Sequence, residues 1–452
     1  MSGKVRKIQD FDRAYYLLRI LMEAALKRAY CRIEYAGRDR IPRDGAVIYA
    51  PNHTNALMDA LVVLTIDGRE KVFVARADIF RNRRVASILS FLKIMPIMRS
   101  RDGMEEVRKN SDTINRAVDV LKDKVPFVIL PEGTHRAMHS LLPLSKGIFR
   151  IAISAERLVG DSMPLYIVPV GIEYGNFFRL RSTVLVNIGE PVNVGEYMKS
   201  HCGLTLPETV NSLKDCLAGK IKETILYIPD DRWYDASYEV CALVVREQLR
   251  ECGGSTAGKK KNQLYTRLQA NKRTMEQIRI AREKASDKVA ALFEKAENIR
   301  RRRLARGISL SSVTASSRMP RLYGQIAFLV LLPYVVCCAV LSSPLEALVR
   351  LISRKMKDRA FFNSVRFAAR FVLWPLMVAA YAAAAFSLLE WEWALLSVVA
   401  LCPAPSVSDR AFRLVRLSVS DIRLYSDKKL RADMDSLRNY FFRDIASVSD
   451  GR

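Results

Sequence analysis

Apolar residues follow two different patterns along the chain. Between residues 46 and 188 they come as short runs: AVIYAPN at 46–52, KVFVA at 71–75, PFVIL at 126–130, LYIVPVGI at 165–172 and TVLVNI at 183–188. The stretches 78–92, 104–123 and 147–158 lie between these runs and carry apolar residues at helical spacing. Short buried strands alternating with helices predict an α/β domain with a mainly parallel or mixed sheet flanked by helices. The last of these runs places the end of this domain near residue 195.

Outside this domain the pattern is helical. Residues 10–30 set Tyr15, Leu18, Leu21, Met22, Ala25 and Tyr30 at roughly helical spacing, interrupted by Arg19, Lys27 and Arg28. That is an amphipathic helix, packed on its own domain or lying at a membrane interface. Residues 205–250 read as helix, with Thr205 to Glu208 as cap and first turn. CGGSTAGKKKN at 252–262 has linker composition, and 263–305 is a charged helical pattern ending in Arg300 to Arg303, read as a solvated, ion-paired element. Three uncharged stretches follow, at Ile326–Leu341, Phe371–Leu389 and Ala394–Cys402, and predict a membrane-associated C-terminal region. Basic residues flank the first stretch on both sides, which disfavours a simple single crossing and leaves a re-entrant hairpin broken at Pro333 as an option. The expected organisation is an amphipathic N-terminal helix (1–35), the α/β domain (36–200), a helical extension (201–251), a linker (252–262), a long charged helix (263–320), hydrophobic membrane segments (321–405) and a C-terminal amphipathic tail (406–452).

Charge narrows the partners without choosing among them. Of 452 residues, 73 are Lys or Arg and 47 Asp or Glu, a net charge of +26 that favours lipid headgroups, phosphorylated substrates or nucleic acid. The eight cysteines form no CxxC pair and have no His at zinc spacing, so they read as reduced thiols facing the cytosol. The charged N-terminus MSGKVRKIQD shows no secretory signal, which puts the α/β domain on the cytoplasmic side of a membrane.

Candidate chemistry begins with APNHTNALMDALVV at 50–63, directly after the first apolar run. His53 and Asp59 are six positions apart, about 240° around an ideal helix, so they could meet only if the chain turns between them. With His53 in the loop and Asp59 in the next helix, the carboxylate would fix the imidazole tautomer and let it take a proton from an alcohol. No Gly-x-Ser-x-Gly elbow accompanies them, so the hydroxyl to be activated belongs to a substrate. A histidine capping a helix beside a solvated aspartate is the plainer alternative for this segment alone. A second segment, LPEGTHRAMHSLLPLSKGIFRI at 130–151, ends a strand with Gly133 and Thr134 and follows it with Arg136, Lys146 and Arg150, donors suited to a phosphate. Lys146 and Arg150 fit a basic helix face equally well, and His139 and His201, with no carboxylate at a suggestive spacing, read as surface or packing residues.

Together these segments resemble the phospholipid and glycerol acyltransferases, the PlsC-like superfamily. Asn52, His53 and Asp59 match the family's first block, and Pro131, Glu132, Gly133 and Thr134 its Pro-Glu-Gly-Thr-Arg block. MPIMRSRDG, with Arg99 and its neighbour Arg101, is similar to the second block, and IVPVGIEYG around Pro169 to the fourth. The resemblance implies transfer of an acyl group from acyl-CoA or acyl-carrier protein to a glycerol-phosphate hydroxyl. His53 would be the general base and Asp59 its orienter; Asn52, Arg99, Arg101, Glu132, Gly133, Thr134, His135, Arg136 and Lys146 would bind substrate. It implies no metal or bound cofactor, and anionic membrane lipids rather than nucleic acid as further partners. Two departures stand out: five residues rather than four separate His53 from Asp59, which resembles the branch that acylates glycerol 3-phosphate or dihydroxyacetone phosphate, and His135 replaces the family's arginine. Acylation of lysophosphatidate is the alternative. A basic membrane scaffold or nucleic-acid-binding protein would share the charge but would not account for these motifs at successive strand ends.

Overall fold

The computed structural model describes residues 7–97, 104–160, 162–251, 263–314, 319–356 and 358–449, with the backbone alone described over 104–112 and 319–323. The chain divides into two compact units, Met1–Ile225 with Met356–Ser364, and Leu226–Lys355 with Val365–Arg452.

The first unit is the α/β domain. Its strands are β1 (Arg32–Ala36), β2 (Ala46–Pro51), β3 (Val72–Arg76), β4 (Ile94–Ile97), β5 (Phe127–Val128), β6 (Leu165–Tyr174), β7 (Thr183–Ile188) and β8 (Val192–Asn193). Its helices are α1 (Arg13–Ala29), α2 (Leu57–Leu64), α3 (Arg83–Phe91), α4 (Met104–Lys122), α5 (Gly147–Val159), α6 (Val194–Ser200) and α7 (Leu206–Thr224). The sheet order is β1-β7-β6-β2-β5-β3-β4, with β8 added beside β6. All pairs are parallel except β6 with β7 and β6 with β8. Every residue of β2 is buried, as a parallel strand covered on both faces requires, which is why it reads as an unbroken apolar run. Phe149, Ile148 and Ala152 of α5 and Leu213, Leu217 and Ile221 of α7 pack with Ile48, Phe127 and Ile167 to form the main core.

Several boundaries differ from those expected. β1 lies outside the expected strands because only Glu34 of its five residues is buried, so its sequence lacks an apolar run. The helical stretch expected over 205–250 is two helices, and only α7 belongs to the first unit. Its cap forms as expected, with the Glu208 carboxylate accepting the Thr205 backbone N–H at 2.8 Å.

The second unit is helical: α8 (Tyr234–Glu251), α9 (Gln263–Lys284), α10 (Ser286–Ala305), α11 (Leu310–Val313), α12 (Met319–Val330), α13 (Leu332–Arg354), α14 (Phe361–Leu388, whose first turn groups with the first unit), α15 (Trp391–Leu401), α16 (Ala404–Ser426) and α17 (Lys428–Tyr440). The single solvated helix expected over 263–305 is instead a pair broken at Ala285, which leaves helical geometry with φ −150° and ψ 63°. The break lets Ile278 and Ala281 of α9 share one core with Val289, Leu292 and Phe293 of α10, Val240 of α8 and Leu437 of α17. A straight helix could not bring both apolar stripes to the same core. The expected linker at 252–262 lies outside the described residues. α13 and α14 are long and apolar enough to cross a membrane. Pro333 sits in the first turn of α13, where the missing N–H costs no helical bond.

One close approach ties α7 to the sheet. A Cβ on Gly171 of β6 would stand 2.4 Å from the Thr224 carbonyl oxygen at the end of α7, and that oxygen also accepts from Asn187 Nδ2 at 2.8 Å. Gly171→Ala should therefore destabilise the first unit by about 1–3 kcal/mol, the range of overpacked cores. Urea denaturation checks this, and a midpoint unchanged from wild type would mean that α7 yields freely.

Candidate active site

The site grows from the carboxyl end of β2, the region where open parallel sheets place ligands. Asn52 leaves the strand with its amide engaged: Oδ1 accepts the Ile172 N–H at 2.7 Å and Nδ2 donates to the Ile172 carbonyl at 3.3 Å. Asn52 is buried and fastens the loop to β6. The chain then turns back at Ala56, which has φ 46° and ψ −126°, a conformation strained for a residue with a Cβ. This turn accommodates the five-residue spacer and starts α2 at Leu57.

Asp59 is fully buried in the first turn of α2. Its Oδ2 receives the Thr54 and Asn55 N–H groups, each at 2.7 Å, and lies 2.8 Å from His53 Nδ1. Its Oδ1 accepts from the Tyr174 hydroxyl at 2.7 Å. With Nδ1–H donated to the carboxylate, the imidazole presents Nε2 as its basic nitrogen. Burial, and then the Asp59 charge, push the Tyr174 phenol well above its ordinary range, so it remains a donor.

The loop after β5 locks onto this turn. Gly133 adopts φ 65°, a conformation glycine allows without strain. It lets the Glu132 carboxylate accept the His53 N–H at 2.6 Å through Oε1 and the Leu142 N–H at 2.9 Å through Oε2. The Arg136 N–H donates back to the His53 carbonyl at 3.1 Å. Both Glu132 oxygens accept from backbone donors, so the side chain braces His53. Burial pushes its pKa up to about 7 against these hydrogen bonds.

Of the other expected substrate-binding residues, His135 places its ring 5.3 Å from that of His53, centroid to centroid. Arg136 donates to Ser140 Oγ at 2.7 Å. Thr134 and Lys146 are exposed, and Lys146 stands at the N-cap position of α5 without a side-chain capping bond. Arg99 and Arg101 lie outside the described residues. Three features escaped the sequence reading: Tyr174 as a partner of Asp59, the buried contact of His139 Nδ1 with Glu173 Oε2 at 3.0 Å, and Asp358, whose Oδ2 is 2.8 Å from His135 Nε2. Each partner is too distant in sequence for spacing to reveal. His201 stacks on Tyr197 at 4.2 Å, a packing role. Among the described residues, no group of three or more His, Cys, Asp and Glu could hold a metal ion.

Residues 32–173 match the family model described as Acyltransferase, in agreement with the resemblance read from the sequence. Among solved structures the chain is similar to the 1-acyl-sn-glycerophosphate (LPA) acyltransferase PlsC from Thermotoga maritima, at 21% identity, with 48% of this chain and 83% of that chain covered and a TM-score of 0.34. No curated protein matches the chain.

The raised pKa of Glu132 has a defined consequence for stability. The folded carboxyl holds its proton up to about 7 and the unfolded one up to 4.5, so unfolding releases a proton between these values. The stabilising contribution is complete below the unfolded value and is lost as pH rises through the folded one. In Glu132→Gln this part of the pH slope should vanish, and one of the two backbone donors should lose its acceptor at a cost of about 1–3 kcal/mol. Denaturant titrations across that pH range read both effects; an unchanged slope would show that Glu132 is ionised throughout.

Proposed function

We propose that the protein is a membrane-associated glycerolipid acyltransferase that moves a fatty acyl group from acyl-CoA or acyl-carrier protein to glycerol 3-phosphate or a related glycerol-phosphate acceptor. The observation that carries this reading is the His53–Asp59 pair held beside the Glu132–Arg136 loop inside an acyltransferase-family domain. In this reading His53 Nε2 takes the proton of the acceptor hydroxyl as its oxygen attacks the thioester carbonyl carbon. The C–O bond forms, the C–S bond breaks, and the departing thiolate collects the proton from His53, so no covalent enzyme intermediate is needed. Asp59 holds the ring and stabilises the transient imidazolium.

The cationic character of the chain suits a phosphorylated acceptor and an anionic bilayer. The two apolar helices support membrane association, in keeping with an acyl donor whose chain partitions into lipid. The five-residue spacer resembles the branch that acylates glycerol 3-phosphate or dihydroxyacetone phosphate, and on that resemblance these acceptors are preferred over lysophosphatidate.

The test is transfer from a labelled long-chain acyl thioester by the purified full chain, offering the three acceptors separately. His53→Ala should lower turnover by about 10²–10⁴-fold, the usual range for a general base, and Asp59→Asn should fall by a comparable factor with the fold retained. Turnover unchanged in His53→Ala, or no transfer to any acceptor by wild type, would overturn the reading.

A further inference from the structure

The segment that joins the two apolar helices groups with the first unit, although the chain on either side of it groups with the second. It is anchored there by specific contacts. Asn363, almost fully buried, donates through Nδ2 to the Phe177 carbonyl at 2.7 Å. The Arg359 guanidinium lies over the Phe178 ring at 5.8 Å. The Ala360 N–H donates to Asp358 Oδ1 at 2.8 Å, a local turn that orients the other carboxylate oxygen. That oxygen lies 2.8 Å from His135 Nε2, and the Phe361 ring meets the His135 ring edge-on at 4.8 Å. His135 is thus held between this segment and the His53 ring.

We infer that residues 358–363 complete the active site: Asp358 and Phe361 position the His135 imidazole so that its Nδ1 contacts the phosphate of the acceptor. This rests on the acyl-transfer reading above and names the acceptor-binding part of that site. With Nε2 turned to Asp358, Nδ1 carries a proton to donate when the ring is cationic. A carboxylate on one side of an imidazole favours the cationic form that a phosphate on the other side needs. Burial, and then the charge of His53, lower the His135 pKa, while Asp358 opposes both. The titratable groups around His135 are Asp358, His53 and Asp59, with Glu132 and Arg136 in its own loop. An arginine here would be a permanent cation beside the general base; the His135 ring, with its pKa lowered, becomes cationic only when the acceptor phosphate joins Asp358 beside it.

The full chain is assayed in vesicles with its preferred acceptor from the experiment above, alongside His53→Ala and His135→Ala as references. Asp358→Asn and Phe361→Leu should each raise the acceptor KM about tenfold with kcat within about threefold and the acyl-donor KM unchanged. The rise for Asp358→Asn should be larger at the alkaline end of the pH profile, and Asp358→Glu should restore part of the loss. Asp358 is half exposed, so loss of fold is not expected, and thermal unfolding of each variant checks it. An acceptor KM unchanged or lowered in a folded Asp358→Asn variant would overturn the inference, as would an unchanged KM in His135→Ala. Either result with His53→Ala inactive leaves the acyl-transfer reading standing, whereas an active His53→Ala removes that reading itself.

Discussion

The site depends on the burial of one carboxylate. Asp59 has no exposure to water, and an ionised carboxylate without compensating donors would be far too costly there. Four donors meet it: two backbone N–H groups from the turn just before it, the His53 ring, and the Tyr174 hydroxyl. Satisfying Asp59 therefore fixes the loop, the tautomer of the His53 ring and the position of β6 together. Burial and the Asp59 charge also push the Tyr30 and Tyr174 phenols upward, so neither gives up its proton near neutral pH.

Sheet order explains why the pieces converge although they lie far apart in sequence. β5 and β6 flank β2. The loop leaving β2 therefore meets the loop leaving β5 on one side and the end of β6 on the other. The exchange between His53 N–H and Glu132, and between Arg136 N–H and the His53 carbonyl, joins the first two. Asn52 and Tyr174 join the third. The strained Ala56 turn persists because these attachments hold it from both sides.

What was legible in the sequence was local. The runs that became β2, β3, β5, β6 and β7 were readable because buried parallel strands are uniformly apolar, and His53 and Asp59 because both sit at the start of a strand-to-helix turn. β1 was not, since a half-buried edge strand lacks that run. The backbone partners of Asn52 and Glu132 were not legible, because such side chains serve equally well to bind a ligand or to satisfy backbone, and only the fold shows which backbone groups they meet. The partners of Asp59, His135 and His139 sit at positions 174, 358 and 173, beyond any spacing argument. The charged 263–305 stretch misled for another reason: its charge is partly internal, as in the buried Arg303–Glu239 pair with both contacts at 2.7 Å.

The same accounting applies to the second unit. Glu346 of α13, Arg366 and Arg370 of α14 and Asp409 of α16 form one four-membered cluster with no net charge. Two acids against two guanidiniums satisfy each other, whereas any one of them alone among apolar helices would be strongly destabilising. The cluster also limits how much of each helix suits hydrocarbon. From Phe371 to Leu388, α14 is uncharged over about 27 Å, close to a hydrocarbon core of about 30 Å. From Leu332 to Leu345, α13 is uncharged over only about 21 Å, short of that core. A span made of α13 would therefore carry Glu346 into the membrane edge, where its pairing with Arg366 and Arg370 is what makes the position tolerable. The four charges stay together only while α13, α14 and α16 pack as one group.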